Sequence, residues 1–455
     1  MGNLLRALAC VVLWLAGSGL LHAADAPAAP RDLPPGLQIP AAARPGPAFD
    51  VERATQAYID LLTPEQRARS DAYFEGGYWL QLWGLLYGFA VAAILLGSGL
   101  SRRMRDFAER RSRRPWVQVL LYGLQWVVVA FVLGLPLAIY QGFVREHQYG
   151  LATQGFGGWF GDQLKELLVT LVVVPPVLAL LYAAVRRMGA RWWVGASGGA
   201  FVLILFLMML SPVFIDPMFN DYRPLREGPV REAVLSLARA NGVPTDNVVE
   251  FDASRQTTRI SANVSGFLGT TRVALNDNLL ERTSEPEIKA VMGHEMGHYV
   301  LNHAFRLVAY MSLVLALGFW FVQRGFDGAL ARWGRRLGLR DRADPAALPL
   351  ALAILSLFFF LVTPVVNTII RQAEAEADMF GIDAAREPHG FAMAAMRLST
   401  YRKIHPGPLE EFLFYDHPSG YERVQRSMRW LQENQDNPTA NAPLPPPPTA
   451  APPAR

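Results

Sequence analysis

Long apolar runs constrain this chain more than any other feature of its sequence. Six of them, besides one at the N-terminus, are long enough to cross a hydrocarbon layer of about 30 Å at about 1.5 Å per helical residue. The six cover residues 78–99, 116–140, 166–185, 192–213, 304–323 and 347–370. The sequence therefore predicts an α-helical multi-pass membrane protein with about seven spans, counting the N-terminal segment.

Composition supports a membrane protein and excludes several other classes. With 455 residues, 51% hydrophobic and 18% charged, the chain is too apolar for a set of soluble domains. The net charge of +4 comes from arginines in short loops and forms no basic domain, so no nucleic-acid partner is expected. A single cysteine, Cys10, excludes a disulfide framework and a cysteine zinc site. The oligomeric state stays undetermined.

The two ends of the chain differ from its middle. Residues 1–24 have the charged start, apolar core and small residues of a signal peptide, and an uncleaved first membrane helix would look the same. In either case residues 25–75 are expected outside the cytoplasm. They begin as a loose Pro/Ala-rich linker and end in a short helical segment. Residues 434–455 are Pro/Ala-rich again and predict a disordered tail.

Loop charge predicts the orientation in the bilayer. Arginines cluster in three alternate loops at 101–115, 186–191 and 324–346, whereas the loop at 141–164 holds only Arg145. The positive-inside rule places the three arginine-rich loops in the cytoplasm. Four spans within 76–213 and two within 304–370 then put residues 214–303 and 371–433 outside the cytoplasm. These two segments are expected to form one mixed α/β domain.

The block at 214–303 has its own secondary-structure signals. Helical spacing predicts a helix over Pro229–Asn241, and alternation predicts strands at 247–252, 259–267 and 271–276. Gly269 and the two threonines after it indicate a hairpin turn. A further helix is expected to begin near Ser284, with acidic residues in its first turn.

That last helix contains His294-Glu295-Met-Gly-His298. Residues four apart lie on one face of a helix, so His294 and His298 can both reach a single Zn²⁺. Glu295 lies beside them, where it can take a proton from water and pass it to a leaving amine. The spacing predicts a zinc-dependent hydrolase site.

A catalytic zinc needs a third protein ligand. Glu374 and Asp378 follow the last predicted span and are also four residues apart, so one carboxylate can bind zinc while the other accepts a hydrogen bond from a ligand histidine. Glu376 should point elsewhere. His303, little more than one turn past His298, is expected to be a packing or interfacial residue.

Together these residues resemble the type I CAAX prenyl proteases, membrane zinc metalloendopeptidases related to the a-factor-converting enzyme of yeast. In that family the third ligand is the Glu of Arg-x-x-Glu-x-x-Ala-Asp-x-Phe. This sequence keeps the motif at Arg371, Glu374, Ala377, Asp378 and Phe380. The resemblance implies one Zn²⁺ per chain, a zincin-like domain, His294, His298 and Glu374 as ligands, Glu295 as general base and Asp378 behind the ligands.

Two more motifs extend the resemblance. Ser261-Ala-Asn263 is similar to the family's Ser-Asn-Ala strand, and implies that Asn263 holds an extended substrate backbone at a sheet edge. His417-Pro418 with Glu422-Arg423 is similar to the family's C-terminal motif. It implies that His417 steadies a developing oxyanion and that Arg423 contributes to substrate binding.

The chain also departs from the family. Ile370 stands where the family usually has Ser, and the eukaryotic members present their catalytic domain to the cytosol. Loop charge here predicts a catalytic domain outside the cytoplasm. Together with the signal-like N-terminus and an Arg-rich, nearly Lys-free composition, it predicts a bacterial inner-membrane protein with a periplasmic catalytic domain. A prenylated substrate is therefore not expected, although a peptide or protein substrate and contact with the lipid bilayer are.

Two alternatives stay open at this point. A quality-control protease that trims misfolded membrane or exported proteins would use the same catalytic residues. A non-catalytic membrane scaffold with a structural zinc would need a fourth protein ligand, and none is apparent in the sequence.

Overall fold

The computed structural model describes residues 33–266 and 271–435. The predictions for residues 1–24, for the turn at Gly269 and for most of the tail lie outside the described residues. Two compact units interleave along the chain. The first comprises Tyr78–Met208 and Val308–Thr363, and the described part of the second comprises 33–77, Met209–Leu307 and 364–435.

Helices dominate both units. In chain order they are α1 Val51–Ile59, α2 Pro64–Gly97, α3 Leu100–Arg111, α4 Pro115–Ile139, α5 Arg145–Gln148, α6 Phe156–Met188, α7 Trp192–Leu210, α8 Pro229–Ala240, α9 Asp277–Arg282, α10 Glu285–Val300, α11 His303–Leu337, α12 Leu348–Ala385, α13 Pro388–Leu398, α14 Pro408–Phe414 and α15 Gly420–Glu433. The strands are β1 Tyr222–Pro224, β2 Asn247–Phe251, β3 Ala262–Ser265 and β4 Arg272–Asn276.

Among the described residues, five helical stretches are long and apolar enough to cross a bilayer. The six predicted runs correspond to these five stretches, because 166–185 and 192–213 both lie in Phe156–Met218, and the run at 78–99 ends two residues past Pro64–Gly97. The structure divides that stretch into α6 and α7 at Gly189, whose φ of +53° suits glycine. Their apolar side chains are largely exposed, as expected where hydrocarbon and not water surrounds a helix.

Two of the arginine-rich segments meet within the membrane unit. The segment at 101–115 forms α3, and Arg105 donates a 2.7 Å hydrogen bond to the buried carboxylate of Asp344. Arg340 pairs with Glu109 at 2.5 Å. Residues 101–115 and 324–346 therefore lie at the same end of this unit, as the charge argument requires.

The second unit contains a four-stranded sheet of order β1-β2-β4-β3. β2 pairs parallel with β4, whereas β1 and β3 pair antiparallel with their neighbours. All three predicted strands form, while β1, only three residues long, escaped prediction. The apolar face of the sheet packs on α8 and α10 through Val273, Leu275 and Met292. β3 is left as an edge strand.

Residues 33–48, the described part of the predicted loose linker, are packed together with the helical segment that follows them. Leu33, Tyr58 and Leu62 are buried in one cluster with side chains of α13 and α15. Backbone carbonyls of residues 33, 34 and 36 accept hydrogen bonds from the buried guanidinium of Arg397. This cluster holds α13 and α15, which carry residues behind the candidate site, against α1.

Candidate metal centre

The start of α10 is set by its first turn. The carboxylate of Glu287 accepts a 2.7 Å hydrogen bond from the backbone N–H of Ser284, the capping-box contact that begins a helix. The other oxygen of Glu287 accepts a 2.5 Å hydrogen bond from Arg397. Because the helix cannot slip at this end, its later turns present His294 and His298 in a defined direction.

Three ligand-type side chains converge where α10 meets α12. The Nε2 atoms of His294 and His298 lie 3.1 Å apart. The Glu374 carboxylate lies 3.2 Å from His294 Nε2 and 3.4 Å from His298 Nε2. The structure thus brings together the three residues that the motifs predict as ligands, within 4.8 Å of one another.

Glycines allow the two helices to approach this closely. A Cβ atom added at Gly381 would lie 2.6 Å from the backbone nitrogen of His294, and one added at Gly293 would lie 2.8 Å from the carbonyl oxygen of Gly381. Any larger residue at this crossing would push the helix of His294 away from the helix of Glu374.

Asp378 lies one turn after Glu374 and behind His294. Its carboxylate accepts a 2.8 Å hydrogen bond from His294 Nδ1 and bonds from Arg423 at 2.6 and 3.0 Å and from Arg426 at 2.9 Å. The structure therefore places Glu374 at the converging atoms and Asp378 in the supporting position. The contact from Arg426 has no counterpart in the sequence prediction.

His298 has a different partner. Its Nδ1 lies 2.9 Å from Nδ1 of His303, which the sequence analysis treats as a packing residue. His303 is only 1% exposed, and its Nε2 lies 3.1 Å from the carboxylate of Glu376. Sequence reasoning missed this contact, because the turn between α10 and α11 that brings the two rings together leaves no periodic signal.

The cluster is chemically suited to a cation. A neutral histidine that donates through Nδ1 keeps a lone pair on Nε2. Both Nε2 lone pairs and a carboxylate therefore face one another, and Glu374 Oε2 is buried without a hydrogen bond among the described residues. Ligands of a tetrahedral zinc lie about 3.4 Å apart at zinc–ligand distances of about 2.0–2.2 Å, close to the spacings here. The residues fit a zinc ion.

A cavity of about 490 Å³ opens beside the cluster. His294, Glu295, His417 and Arg423 line it, together with the segment 259–262 that leads into β3. Burial raises the pKa of the Glu295 carboxyl above its ordinary value, and the nearby histidines oppose that shift. A carboxylate with a raised pKa beside a cation site is suited to accept and release a proton.

Of the remaining predicted residues, His417 and Arg423 line this cavity and Asn263 does not. His417 Nε2 is 3.3 Å from the Glu374 carboxylate, and its Nδ1 is 2.8 Å from Asp416. Asn263 lies on β3, directly after Ala262, where it pairs in register with Ala274. Arg423 both lines the cavity and binds Asp378, so its geometry includes a supporting contact beyond the predicted substrate role.

Comparison with known proteins agrees with this geometry. Residues 224–430 match the model of peptidase family M48, and residues 51–221 match the CAAX prenyl protease N-terminal domain of five membrane helices. The uncharacterized metalloprotease YhfN of Bacillus subtilis is 28% identical over 378 residues, which cover 82% of this chain and 88% of YhfN.

Two yeast proteins extend the comparison. CAAX prenyl protease 1 of Saccharomyces cerevisiae is 31% identical over 185 residues, 40% of each chain. The crystal structure of Ste24p from S. mikatae has a TM-score of 0.67 at 22% identity, covering 83% of this chain and 94% of that one, which confirms the predicted fold. The chain is a member of peptidase family M48, a multi-pass membrane metalloprotease that carries the N-terminal membrane domain of the CAAX prenyl proteases.

Proposed function

We propose that this protein is a membrane-embedded zinc endopeptidase that hydrolyses peptide bonds of a peptide or protein substrate. The observation that carries the proposal is the convergence of His294, His298 and Glu374 beside a cavity that also contains Glu295. Those three residues would hold one zinc per chain. When bound, zinc polarises the scissile carbonyl and lowers the pKa of a coordinated water.

Glu295 acts as the general base and then as the acid. It accepts a proton from the attacking water and gives it to the amine that leaves when the C–N bond breaks, so the proton is conserved. Burial raises the pKa of Glu295 above the ordinary value of a carboxyl group, which helps it to hold the proton between the two transfers. His417 donates a hydrogen bond toward the oxygen that develops negative charge; its place beside Glu374 supports that role.

The substrate binds as an extended strand along β3. Among the described strands β3 pairs with β4 alone, which leaves its other edge for strand addition. The segment that precedes β3 lines the cavity, so a strand added there would pass the metal site. Asn263 would hold the substrate backbone from this edge, and Arg423 would contact the substrate where it lines the cavity.

The catalytic domain lies on the periplasmic side of a bacterial inner membrane. Support comes from the arginine-rich segments 101–115 and 324–346, which meet at one end of the membrane unit. A reporter enzyme fused after Glu433 tests the side: activity of a periplasm-only reporter is expected, and activity of a cytoplasm-only reporter would reverse the orientation.

The experiment that tests the function measures zinc content and peptide cleavage together, on purified protein in detergent. Wild type and Glu295→Gln should both bind about one zinc, and the variant should cleave an unstructured peptide about 10²–10⁴-fold more slowly. Glu232→Gln, an exposed change on α8, is the matched control and should behave as wild type. Equal cleavage by Glu295→Gln would remove Glu295 from the mechanism.

The same experiment, extended to an unfolded membrane protein as a second substrate, separates the alternatives. A structural-zinc scaffold would bind the metal through a fourth protein ligand and cleave nothing in a broad peptide set. A quality-control protease would share the mechanism but prefer unfolded membrane or exported proteins over short peptides.

A further inference from the structure

The two histidines proposed as zinc ligands, His294 and His298, have different hydrogen-bond partners. His294 donates directly to a carboxylate, that of Asp378. His298 does not; its Nδ1 contacts another imidazole, that of His303, whose ring lies at 70° to its own. A metal-ligating histidine usually donates its second N–H to a carboxylate, a carbonyl or water, which fixes the tautomer that faces the metal. His303 therefore occupies the place behind His298 where such an acceptor usually lies.

The hydrogen-bond directions between His298, His303 and Glu376 follow from the ionisation of Glu376. Glu376 accepts hydrogen bonds from Arg306 at 2.6 and 3.3 Å, so its carboxylate is ionised and can only accept. His303 Nε2, 3.1 Å from that carboxylate, must then carry a proton and donate it. A neutral His303 keeps its lone pair on Nδ1, 2.9 Å from Nδ1 of His298. His298 consequently donates through Nδ1 and presents an unprotonated Nε2 to the other ligand atoms.

We infer that His303 is a positioning residue for the metal centre, linking the ligand His298 to the Glu376–Arg306 ion pair and holding its Nε2 ready for zinc. This inference rests on the proposed function. His303 is not itself in the ligand cluster, because its Nδ1 faces His298 and its Nε2 faces Glu376. Its near-complete burial keeps water from replacing it as the acceptor.

His303 and Glu376 should contribute unequally to zinc affinity. The Glu376–Arg306 pair is more than two-fifths exposed on both sides, and an exposed pair orients its partner only weakly. The buried imidazole makes the direct contact with the ligand. Removing the acceptor at residue 303 should therefore weaken zinc binding by about 10–100-fold, the usual effect of losing such a partner. Removing Glu376 should cost much less.

A matched pair of variants tests this. His303→Asn and His303→Leu have side chains of nearly the same shape, but only Asn offers an acceptor close to the position of Nδ1. Zinc affinity is measured by competition with a chromophoric chelator, and the melting temperature of chelator-treated protein reports any structural damage. The expected result is a 10–100-fold loss for His303→Leu, affinity within a few-fold of wild type for His303→Asn, and similar metal-free melting temperatures.

Other outcomes overturn the inference. Wild-type zinc affinity in His303→Leu, or equal losses in both variants, would make His303 a packing residue. If His303→Leu does not fold, His303→Ala replaces it in the pair, because Ala also lacks an acceptor and adds no bulk. A wild type that binds zinc and cleaves, with the zinc affinity of these variants unchanged, would reject this inference alone. A wild type that binds no zinc would reject the proposed function instead.

Discussion

The crossing of α10 and α12 gives the sharpest prediction, because the ligand distances depend on two glycines. In Gly381→Ala the new Cβ would begin 2.6 Å from the backbone nitrogen of His294, whereas ordinary contact starts at 3.4 Å. The two helices must therefore separate by about 0.8 Å at this point, and metal sites tolerate deviations of only about 0.2 Å. The displaced atom belongs to the backbone of a predicted ligand, so no side-chain rotation relieves the clash.

Two quantities should change in Gly381→Ala. Overpacking of this kind costs about 1–3 kcal/mol of unfolding free energy, read as a lower melting temperature of the metal-free protein in detergent. The displaced His294 should also weaken zinc binding by at least about tenfold, comparable to losing a supporting partner, read by chelator competition. The rate of peptide cleavage by Gly381→Ala should be closer to that of wild type at saturating zinc than at limiting zinc.

Gly77→Ala is the matched control. Gly77 lies inside α2, and a Cβ atom added there meets nothing within 4 Å. The change should leave zinc affinity unaltered and raise stability by about 0.5–1 kcal/mol, the ordinary gain from Gly to Ala in a helix. If Gly381→Ala bound zinc like wild type, the close approach of these two helices would not be what positions His294.

Three further predictions concern buried polar groups. Asp378→Asn should lower zinc affinity by about 10–100-fold in a chelator competition, because a ligand histidine loses its carboxylate partner. Arg397→Ala should cost about 3–5 kcal/mol, measured by melting temperature, because the fully buried Glu287 is left without its charge partner. Burial lowers the pKa of His389 to about 4, below the value of about 6.5 in an unfolded chain. Between these two pH values the unfolded chain binds more protons than the folded chain. The free energy of unfolding is therefore highest above about pH 6.5 and falls by up to about 3 kcal/mol as the pH drops through 4. In chelator-treated protein, His389→Asn should flatten this dependence of stability on pH.

The Arg397→Ala prediction has two controls. Arg429→Ala, an exposed change on α15, should leave the melting temperature unaltered. The double variant Glu287→Gln with Arg397→Met should recover part of the loss of Arg397→Ala, because no unpaired charge remains. Unchanged zinc affinity in Asp378→Asn, or a pH slope in His389→Asn equal to that of wild type, would contradict the corresponding argument.

Much of this protein follows from local sequence patterns. Membrane helices were predictable because each forms its backbone hydrogen bonds within itself and presents apolar side chains to hydrocarbon. Length and apolarity are therefore enough to identify them in a sequence. β2, β3 and β4 were predictable from alternation, and the start of α10 near Ser284 from the acidic residues in its first turn. The membrane metalloprotease class is confirmed by the family matches, while the roles of the individual site residues and the membrane side remain predictions.

By itself, the sequence determined that His294 and His298 share a helix face and that a carboxylate about 80 residues later can join them, because side-chain spacing on a helix is local geometry. Only the tertiary structure decided which carboxylate faces the histidines, since Glu374 and Asp378 are equivalent by spacing and differ only in how α12 crosses α10. The same holds for His303 and for the packed segment at 33–62, whose partners lie far away in the chain or across a turn. Contacts of that kind depend on where whole elements pack, and no periodic pattern in the sequence records them.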